Sequence, residues 1–335
     1  MPQAPDAPFI IAAAQAAPVF LDRNATIDKA CALIAEAGKA GARRIVFPEA
    51  FVPGYPDWVW LIPPGKKKLL DPLYAELVAN SLTVPGDATA QLCRAARAAH
   101  MVVVIGISER NTDGSNASLY NTLLYIGQDG TLLGKHRKLV PTGGERLVWA
   151  QGDGSTLEAF DTPLGKIGGL ICWENYMPLA RYAMYSMGTQ IYVAATWDFG
   201  EIWLSTLRHI AKEGRAFVIG CGMALRKDAI PDRWEFKQLY DPAKEWINPG
   251  GSAIVGPDGN FLAGPLMKKE ELLLATIDPR QRIGASWILD VAGHYARPDV
   301  FRLTVNREPR PLIVTAEGPA PDTAPGETLF AHRTA

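Results

Sequence analysis

Lys166-Ile-Gly-Gly-Leu-Ile-Cys172-Trp-Glu-Asn-Tyr-Met-Pro178 is the stretch around which the rest of the chain falls into place. Its apolar run, 167–171, reads as a short buried strand. Gly168 and Gly169 carry no side chain, so a second backbone can approach closely there. The strand ends at Cys172, and Pro178 suits the first turn of a helix over 178–187 that Gly188 closes. Cys172 is thereby placed at a strand-to-helix turn, at the carboxyl end of a strand, where open α/β sheets hold their ligands. An inert packed thiol is the competing account, because free cysteine is among the most buried side chains.

Upstream, 9–15 is a first buried strand. A helix over 27–38 follows, capped by Asn24 or Thr26, with Ile27, Cys31, Ile34 and Ala35 on one face. The strand 44–47 comes next and is broken by Pro48-Glu49. A β-α-β unit makes the two strands parallel, and it leaves Glu49 at the carboxyl end of a buried strand. A helix cap or a structural ion pair would also account for a glutamate there. Residues 53–80, spotted with proline and aromatic residues, read as an insertion that walls a pocket or forms a contact surface, and Lys66 to Lys68 as a solvated charge run. Asp87 caps a helix to His100, and 101–107 is a continuous apolar strand. A hairpin turns at Gln128-Asp-Gly130 and leads into Gly134-Lys-His-Arg-Lys138-Leu-Val. The apolar pair after Lys138 marks a return to the interior, where a lysine wants an anionic partner. Glu145 lies seven residues on.

Downstream of Cys172, strands over 190–196 and 215–223 flank a helix over 206–214 capped by Ser205. A polar excursion covers 226–250, a second hairpin turns at Gly256-Pro-Asp-Gly259, and 272–277 is the last clear strand. The pattern is β-α-β and hairpin, then β-α-β-α-β and hairpin. Two pseudo-symmetric α/β halves of this kind can pack as two sheets face to face with helices outside. Residues 1–303 are read as one domain. From Val305 onward the chain lacks periodicity, and 304–335 is read as a tail, extended or disordered unless a neighbour orders it.

The chain has 335 residues, 48% of them hydrophobic, which suffices for a full core. A net charge of −1 offers no basis for nucleic-acid binding and permits self-assembly. No apolar run is long enough for a membrane span, and the start lacks the basic region of a secretory leader. Cys31, Cys93, Cys172 and Cys221 show no paired spacing, so a reducing cytoplasm is the expected setting. Cys31, Cys93 and Cys221 read as packing. Phosphate-loop, dinucleotide and zinc signatures are missing, so no cofactor or metal is expected.

A nucleophilic cysteine works as thiolate, armed by a nearby cation or base. Five histidines, His100, His136, His209, His294 and His332, keep a Cys-His scheme open, although none stands at a clear strand end as Glu49 does. A carboxylate with an ammonium group is the other route. Glu49 takes the proton if burial raises its pKa, and Lys138 holds negative charge developing on the substrate.

Three segments, Phe47-Pro-Glu49-Ala-Phe-Val-Pro-Gly-Tyr-Pro56, Lys135-His-Arg-Lys138-Leu-Val-Pro-Thr142 and Cys172-Trp-Glu-Asn-Tyr-Met-Pro178, resemble the signature segments of the nitrilase family, in the family's order. Glu145-Arg-Leu-Val-Trp149, Gly152-Asp-Gly-Ser155, His209-Ile-Ala-Lys-Glu-Gly-Arg215 and Gly293-His-Tyr-Ala-Arg-Pro-Asp-Val-Phe301 extend the likeness over about residues 8–303. The Cys-Trp-Glu-Asn context is similar to true nitrilases rather than to the related amidases or carbamoylases. Gly143-Gly144 and Trp197-Asp198 depart from the usual pattern and bear on substrate range. The resemblance implies an α-β-β-α sandwich, a Glu49, Lys138 and Cys172 triad with Glu145 as a fourth polar member, and a small-molecule nitrile as substrate. It also implies subunits that pair through their helix layers into a homodimer and build larger oligomers, spirals or filaments. Tyr55, Trp58, Trp60, Trp173 and Trp197 are candidates for an apolar wall suited to aryl or arylalkyl nitriles, with plain core packing as the alternative. An amidase, a cyanide-hydrolysing relative, and a non-catalytic assembly protein on the same scaffold are the other readings of the whole.

Overall fold

The computed structural model describes residues 7–311. Twelve strands and six α-helices are formed among them: β1 Phe9–Gln15, α1 Arg23–Lys39, β2 Ala42–Val46, α2 Lys67–Asn80, α3 Asp87–Ala98, β3 Val102–Arg110, β4 Leu119–Ile126, β5 Leu132–Arg137, β6 Ile167–Gly169, α4 Pro178–Ser186, β7 Ile191–Thr196, α5 Glu201–Gly214, β8 Phe217–Gly222, β9 Ala224–Arg226, β10 Trp246–Val255, β11 Phe261–Met267, β12 Glu271–Ile277 and α6 Pro279–Ser286.

The strands build two sheets, ordered β12-β1-β2-β3-β4-β5 and β11-β10-β8-β7-β6, with β9 beside β10. In the first sheet β1, β2 and β3 are parallel, and β4 and β5 follow as antiparallel strands. The second repeats the plan: β6, β7 and β8 are parallel, then β10 and β11 antiparallel. Both expected hairpins form, each tightened by a backbone bond across its turn, Gly130 to Gly127 and Gly259 to Gly256. The halves are therefore alike in topology, apart from β12, which leaves the second half and pairs antiparallel with β1.

Alternating strand side chains place the layers. Ile11, Ala13, Val46, Val104 and Leu123 of the first sheet meet Ile167, Val193, Ile219 and Ile254 of the second in one buried cluster between the sheets. Cys221 belongs to that cluster, its Sγ 3.2 Å from the carbonyl of Val46. Opposite-facing residues, such as Ala12 and Ile45, pack outward on α1 and α3 through Ile27, Ile34, Leu92 and Ala96. Tyr192, Ala194 and Val218 pack outward on α4 and α5. Helix, sheet, sheet, helix is the resulting order of layers.

Several local expectations differ in detail. The cap of α1 is Asp22, whose side chain accepts from Ala25 N–H, so the helix starts one turn before the apolar stripe. In α3 Asp87 is the first helical residue and Gly86 the cap, with Thr89 bonded back to the Gly86 backbone. Helix α2 fills the second half of the expected insertion despite Pro72, which sits in its second turn. Helix α5 begins at Glu201, a turn before Ser205, because Gly200 with φ +101° breaks the chain direction there. Strand β10 extends back to Trp246, into the expected excursion. Residues 301–311 form no helix or strand. Arg310 N–H reaches Asp153 Oδ2 at 2.9 Å, and Leu303 and Val305 pack on the α4–α5 layer. The remainder of the expected tail, 312–335, lies outside the described residues.

Candidate active site

Glu49 follows β2, Lys138 follows β5 and Cys172 follows β6, so three separate strand ends deliver the three groups. Gly169 makes the last approach possible: a Cβ there would stand 1.9 Å from the Val193 carbonyl oxygen. Cys172 itself has φ +51°, a left-handed backbone uncommon outside glycine, in the sharp turn between β6 and α4.

Lys138 Nζ donates to Glu49 Oε1 at 2.8 Å and to Glu145 Oε2 at 2.8 Å. All three side chains are almost wholly shielded from solvent. Asn121 Nδ2 donates to Glu49 Oε1 at 2.7 Å, and Trp197 N–H donates to Glu49 Oε2 at 2.8 Å. Glu145 lies in a short 3₁₀ turn, Gly143–Leu147. It accepts from Thr142 N–H at 2.7 Å and from Tyr55 OH at 2.8 Å. Three hydrogen bonds thus hold each carboxylate, but Glu49 Oε2 takes only one of them and keeps acceptor capacity.

Electrostatics set the resting charges of this cluster. Burial raises the Glu49 pKa and Glu145 adds to the rise, against the opposing pull of Lys138. Burial works against the Lys138 ammonium, yet attraction from Glu49, the Cys172 position and Glu145 outweighs it and raises its pKa. The Cys172 thiol is pushed up to about 12, first by burial and then by Glu49, while Lys138 and a hydrogen bond with Thr196 act the other way. Two carboxylates and one ammonium already carry a net negative charge when all are ionised. A thiolate would add another, so the resting thiol keeps its proton.

The aromatic candidates divide. Tyr55 is buried, stacked on Trp197 with centroids 4.3 Å apart and planes 5° from parallel. Trp60 is half exposed, donates Nε1–H to Tyr55 OH at 3.1 Å, and lies against Gly143, whose added Cβ would meet its ring at 2.9 Å. Trp173 is also half exposed, and its Nε1–H donates to Asp198 Oδ2 at 2.7 Å. Trp58 is enclosed by Phe20 and Phe236, with centroids 6.1 and 6.0 Å away. Asn121 and Thr196 were not singled out from the sequence. Each is a polar residue inside an apolar strand pattern, and that was the available signal. Asp57, first residue of the 3₁₀ turn Asp57–Trp60, was not singled out either; it accepts from Tyr240 OH at 2.8 Å and from the Trp197 side chain.

Among the described residues no group of three His, Cys, Asp or Glu side chains is placed to hold a metal ion, and no helix is long and apolar enough to cross a membrane.

Comparison with known proteins accords with this arrangement. The family model described as carbon-nitrogen hydrolase matches residues 10–285. An aliphatic nitrilase of Sinorhizobium fredii is 45% identical over 314 residues, spanning 92% of this chain and 98% of that one. Nitrilase 1 of Arabidopsis thaliana is 40% identical, spanning 92% and 90%. A bifunctional nitrilase/nitrile hydratase of Lupinus angustifolius is 41% identical, spanning 90% and 87%. Among solved structures, the C. elegans NitFhit protein superposes with a TM-score of 0.68 at 19% identity, covering 91% of this chain and 68% of that one. An amidase from Nesterenkonia sp. gives 0.62 at 18% identity, covering 83% and 94%. These two likenesses concern the fold. The chain belongs to the carbon-nitrogen hydrolase family, in its nitrilase branch.

Proposed function

We propose that the protein hydrolyses organic nitriles to carboxylic acid and ammonia, with Cys172 as nucleophile, Glu49 as proton carrier, Lys138 as charge stabiliser and Glu145 as the anchor of Lys138. The observation that carries this is the Lys138 ammonium held at 2.8 Å from both Glu49 and Glu145, beside a buried thiol whose proton Glu49 can accept. The nitrile names and high identity of the relatives choose the substrate class.

A nitrile carbon is electrophilic and carries no leaving group. Cys172 Sγ adds to it as Glu49 Oε2 takes the thiol proton. Glu49 returns that proton to the nitrogen, giving a thioimidate. Water then adds to the same carbon, with its proton passing through Glu49 to nitrogen, and a tetrahedral species forms. The new hydroxyl gives up its proton by way of Glu49, the C–N bond breaks, and ammonia leaves a thioester. A second water, again deprotonated by Glu49, releases the acid and restores the thiol. Lys138 faces the developing negative charge throughout, with help from the Trp173 backbone N–H. Expulsion of sulfur in place of nitrogen at the tetrahedral stage gives an amide as by-product.

Tyr55, Trp60, Trp173 and Trp197 are proposed as the substrate wall, backed from the core by Trp58. The exposed apolar side chains of Leu179 on α4 and Ile202 on α5 support pairing of helix layers in a homodimer that assembles further. Four free cysteines fit a reducing, cytoplasmic setting.

The test is ammonia release from a panel of nitriles with the matching amides alongside. Turnover of nitriles, abolished in a folded Cys172→Ala variant, is expected, as is a covalent mass adduct on Cys172 with slow substrates. Turnover of amides alone would reassign the substrate, and no turnover of either class would leave only a scaffold role.

A further inference from the structure

We propose that Glu174 and His136 are positioning residues: a buried carboxylate–imidazolium pair that sets Lys138 and Cys172 at their working separation. The inference rests on the reading that those two groups share the reaction.

Glu174 is two residues after Cys172 and His136 two residues before Lys138. Both side chains are enclosed, and neither touches the reacting groups directly. Glu174 Oε1 accepts from Leu139 N–H at 2.8 Å, the residue that follows Lys138. Its Oε2 accepts from Ile171 N–H at 2.8 Å, the residue that precedes Cys172. One carboxylate therefore spans the two backbones that present the nucleophile and the cation. No other carboxylate among the described residues accepts from both of these backbones.

The partner of that carboxylate is fixed by donor and acceptor logic. His136 Nε2 lies 3.1 and 3.0 Å from the two Glu174 oxygens, and Nδ1 lies 3.1 Å from the Thr156 carbonyl. A carbonyl only accepts, so Nδ1 carries a hydrogen. The carboxylate, taking backbone N–H groups on both oxygens, also accepts, so Nε2 carries one too. The ring is an imidazolium. Burial disfavours the cation, but the attraction and hydrogen bonding of Glu174 exceed that effect and raise its pKa. Glu174 is correspondingly lowered: burial would raise it, and His136 together with the two backbone bonds prevails. The other titratable side chains facing Glu174 are Tyr125 of β4 and Tyr192 of β7, both kept neutral by burial.

The arrangement suits positioning better than mere cohesion. Cys172 has a left-handed backbone at the start of a short 3₁₀ turn, Cys172–Tyr176, and Lys138 lies just past the end of β5, so each sits where a strand has run out. A displacement of about 1 Å between such groups costs on the order of 100-fold in rate.

The experiment compares Glu174→Gln, His136→Gln and the double variant with wild type, using activity per folded molecule. Each single variant is expected to lose about 100-fold in kcat with KM within about threefold. Alkylation of Cys172 by iodoacetamide should slow in parallel, and the double variant should be no worse than either single one. A kcat within twofold of wild type in folded Glu174→Gln overturns the proposal. Where a variant does not fold, nitrogen NMR of His136 across a pH titration of the wild-type protein decides: a ring that stays doubly protonated above the ordinary imidazole range is expected, and a ring that loses its proton at or below that range overturns the proposal. Lys138→Ala is run alongside. If that variant retains wild-type turnover, the reading of the site itself fails, which is distinct from a silent Glu174→Gln beside an inactive Lys138→Ala.

Discussion

Trp197 gives its backbone N–H to Glu49 Oε2 at 2.8 Å, so the loop after β7 in the second sheet completes the hydrogen bonding of a carboxylate belonging to the first. With Lys138 and Asn121 both on Oε1, the open acceptor position of Glu49 is on Oε2. Glu49→Gln keeps the shape and can still receive Lys138, but it cannot carry a proton. Single-turnover ammonia release should fall by at least about 1000-fold, within the range for loss of a general base. Retention of more than a tenth of the wild-type rate would assign proton transfer elsewhere.

Gly106 of β3 lies directly beneath the Glu49 backbone. A Cβ there would stand 2.2 Å from Pro48 O, 2.6 Å from Ala50 N and 2.8 Å from Glu49 Cα. Gly106→Ala should destabilise the fold by roughly 2–4 kcal/mol and depress kcat more than 100-fold, although no reacting atom is removed. Urea unfolding and kinetics on the same preparation check both halves. Normal kcat in the folded fraction would show that the Glu49 segment is free to shift.

Asp57, which accepts from the Trp197 side chain of the Tyr55–Trp197 stack, has its pKa raised to about 6 by burial, against the opposing bonds from Tyr240 and Trp197. A folded value above the ordinary 3.8 favours the protonated carboxyl. Its stabilising contribution is therefore complete below about pH 3.8 and is lost as pH rises through about 6. Asp57→Asn, neutral and still accepting, should be more stable than wild type at pH 7.5 by up to roughly 3 kcal/mol. That advantage should shrink towards zero near pH 4. Denaturant melts at three pH values measure it, and a pH-independent difference would rule out titration of Asp57 as its cause.

Gly143 has φ +51°, and its missing side chain leaves room for the Trp60 ring. Gly143→Ala should push Trp60 away and break its bond to Tyr55 OH. KM for arylalkyl nitriles is expected to rise about fivefold or more, with KM for the smallest aliphatic nitriles changing less. Equal shifts for both classes would remove Trp60 from the substrate wall.

Much of this architecture was legible in the amino-acid order. Apolar runs such as 101–107 and 190–196 read as buried strands, and Asp129-Gly130 and Asp258-Gly259 mark the two hairpins. The repeated succession of elements gives the two halves. Helix α2 was hidden because Pro53, Pro56, Pro63, Pro64 and Pro72 read as loop; Pro72 lies in its second turn and forgoes the N–H bond to the Lys68 carbonyl, yet the helix runs on to Asn80. Helix α6, with no buried residue, has no apolar periodicity to betray it. Glu49, Lys138 and Cys172 could be singled out because each ends a strand. Asn121, Asp57 and Thr196 could not, since their importance comes from Glu49, Tyr240 and Cys172, partners 72, 183 and 24 residues away that only the folded chain supplies.

The pairing of β1 with β12, Gln15 opposite Glu271, has a consequence for biosynthesis. An N-terminal strand emerges from the ribosome with one flank open and must wait for its neighbour until about 250 further residues have been translated. At roughly 5–20 residues per second that is on the order of 10–50 s. Throughout that interval the nascent chain presents an unpaired, alanine-rich edge, which makes this strand the natural place for a chaperone to hold and the first place for a stalled or truncated product to aggregate.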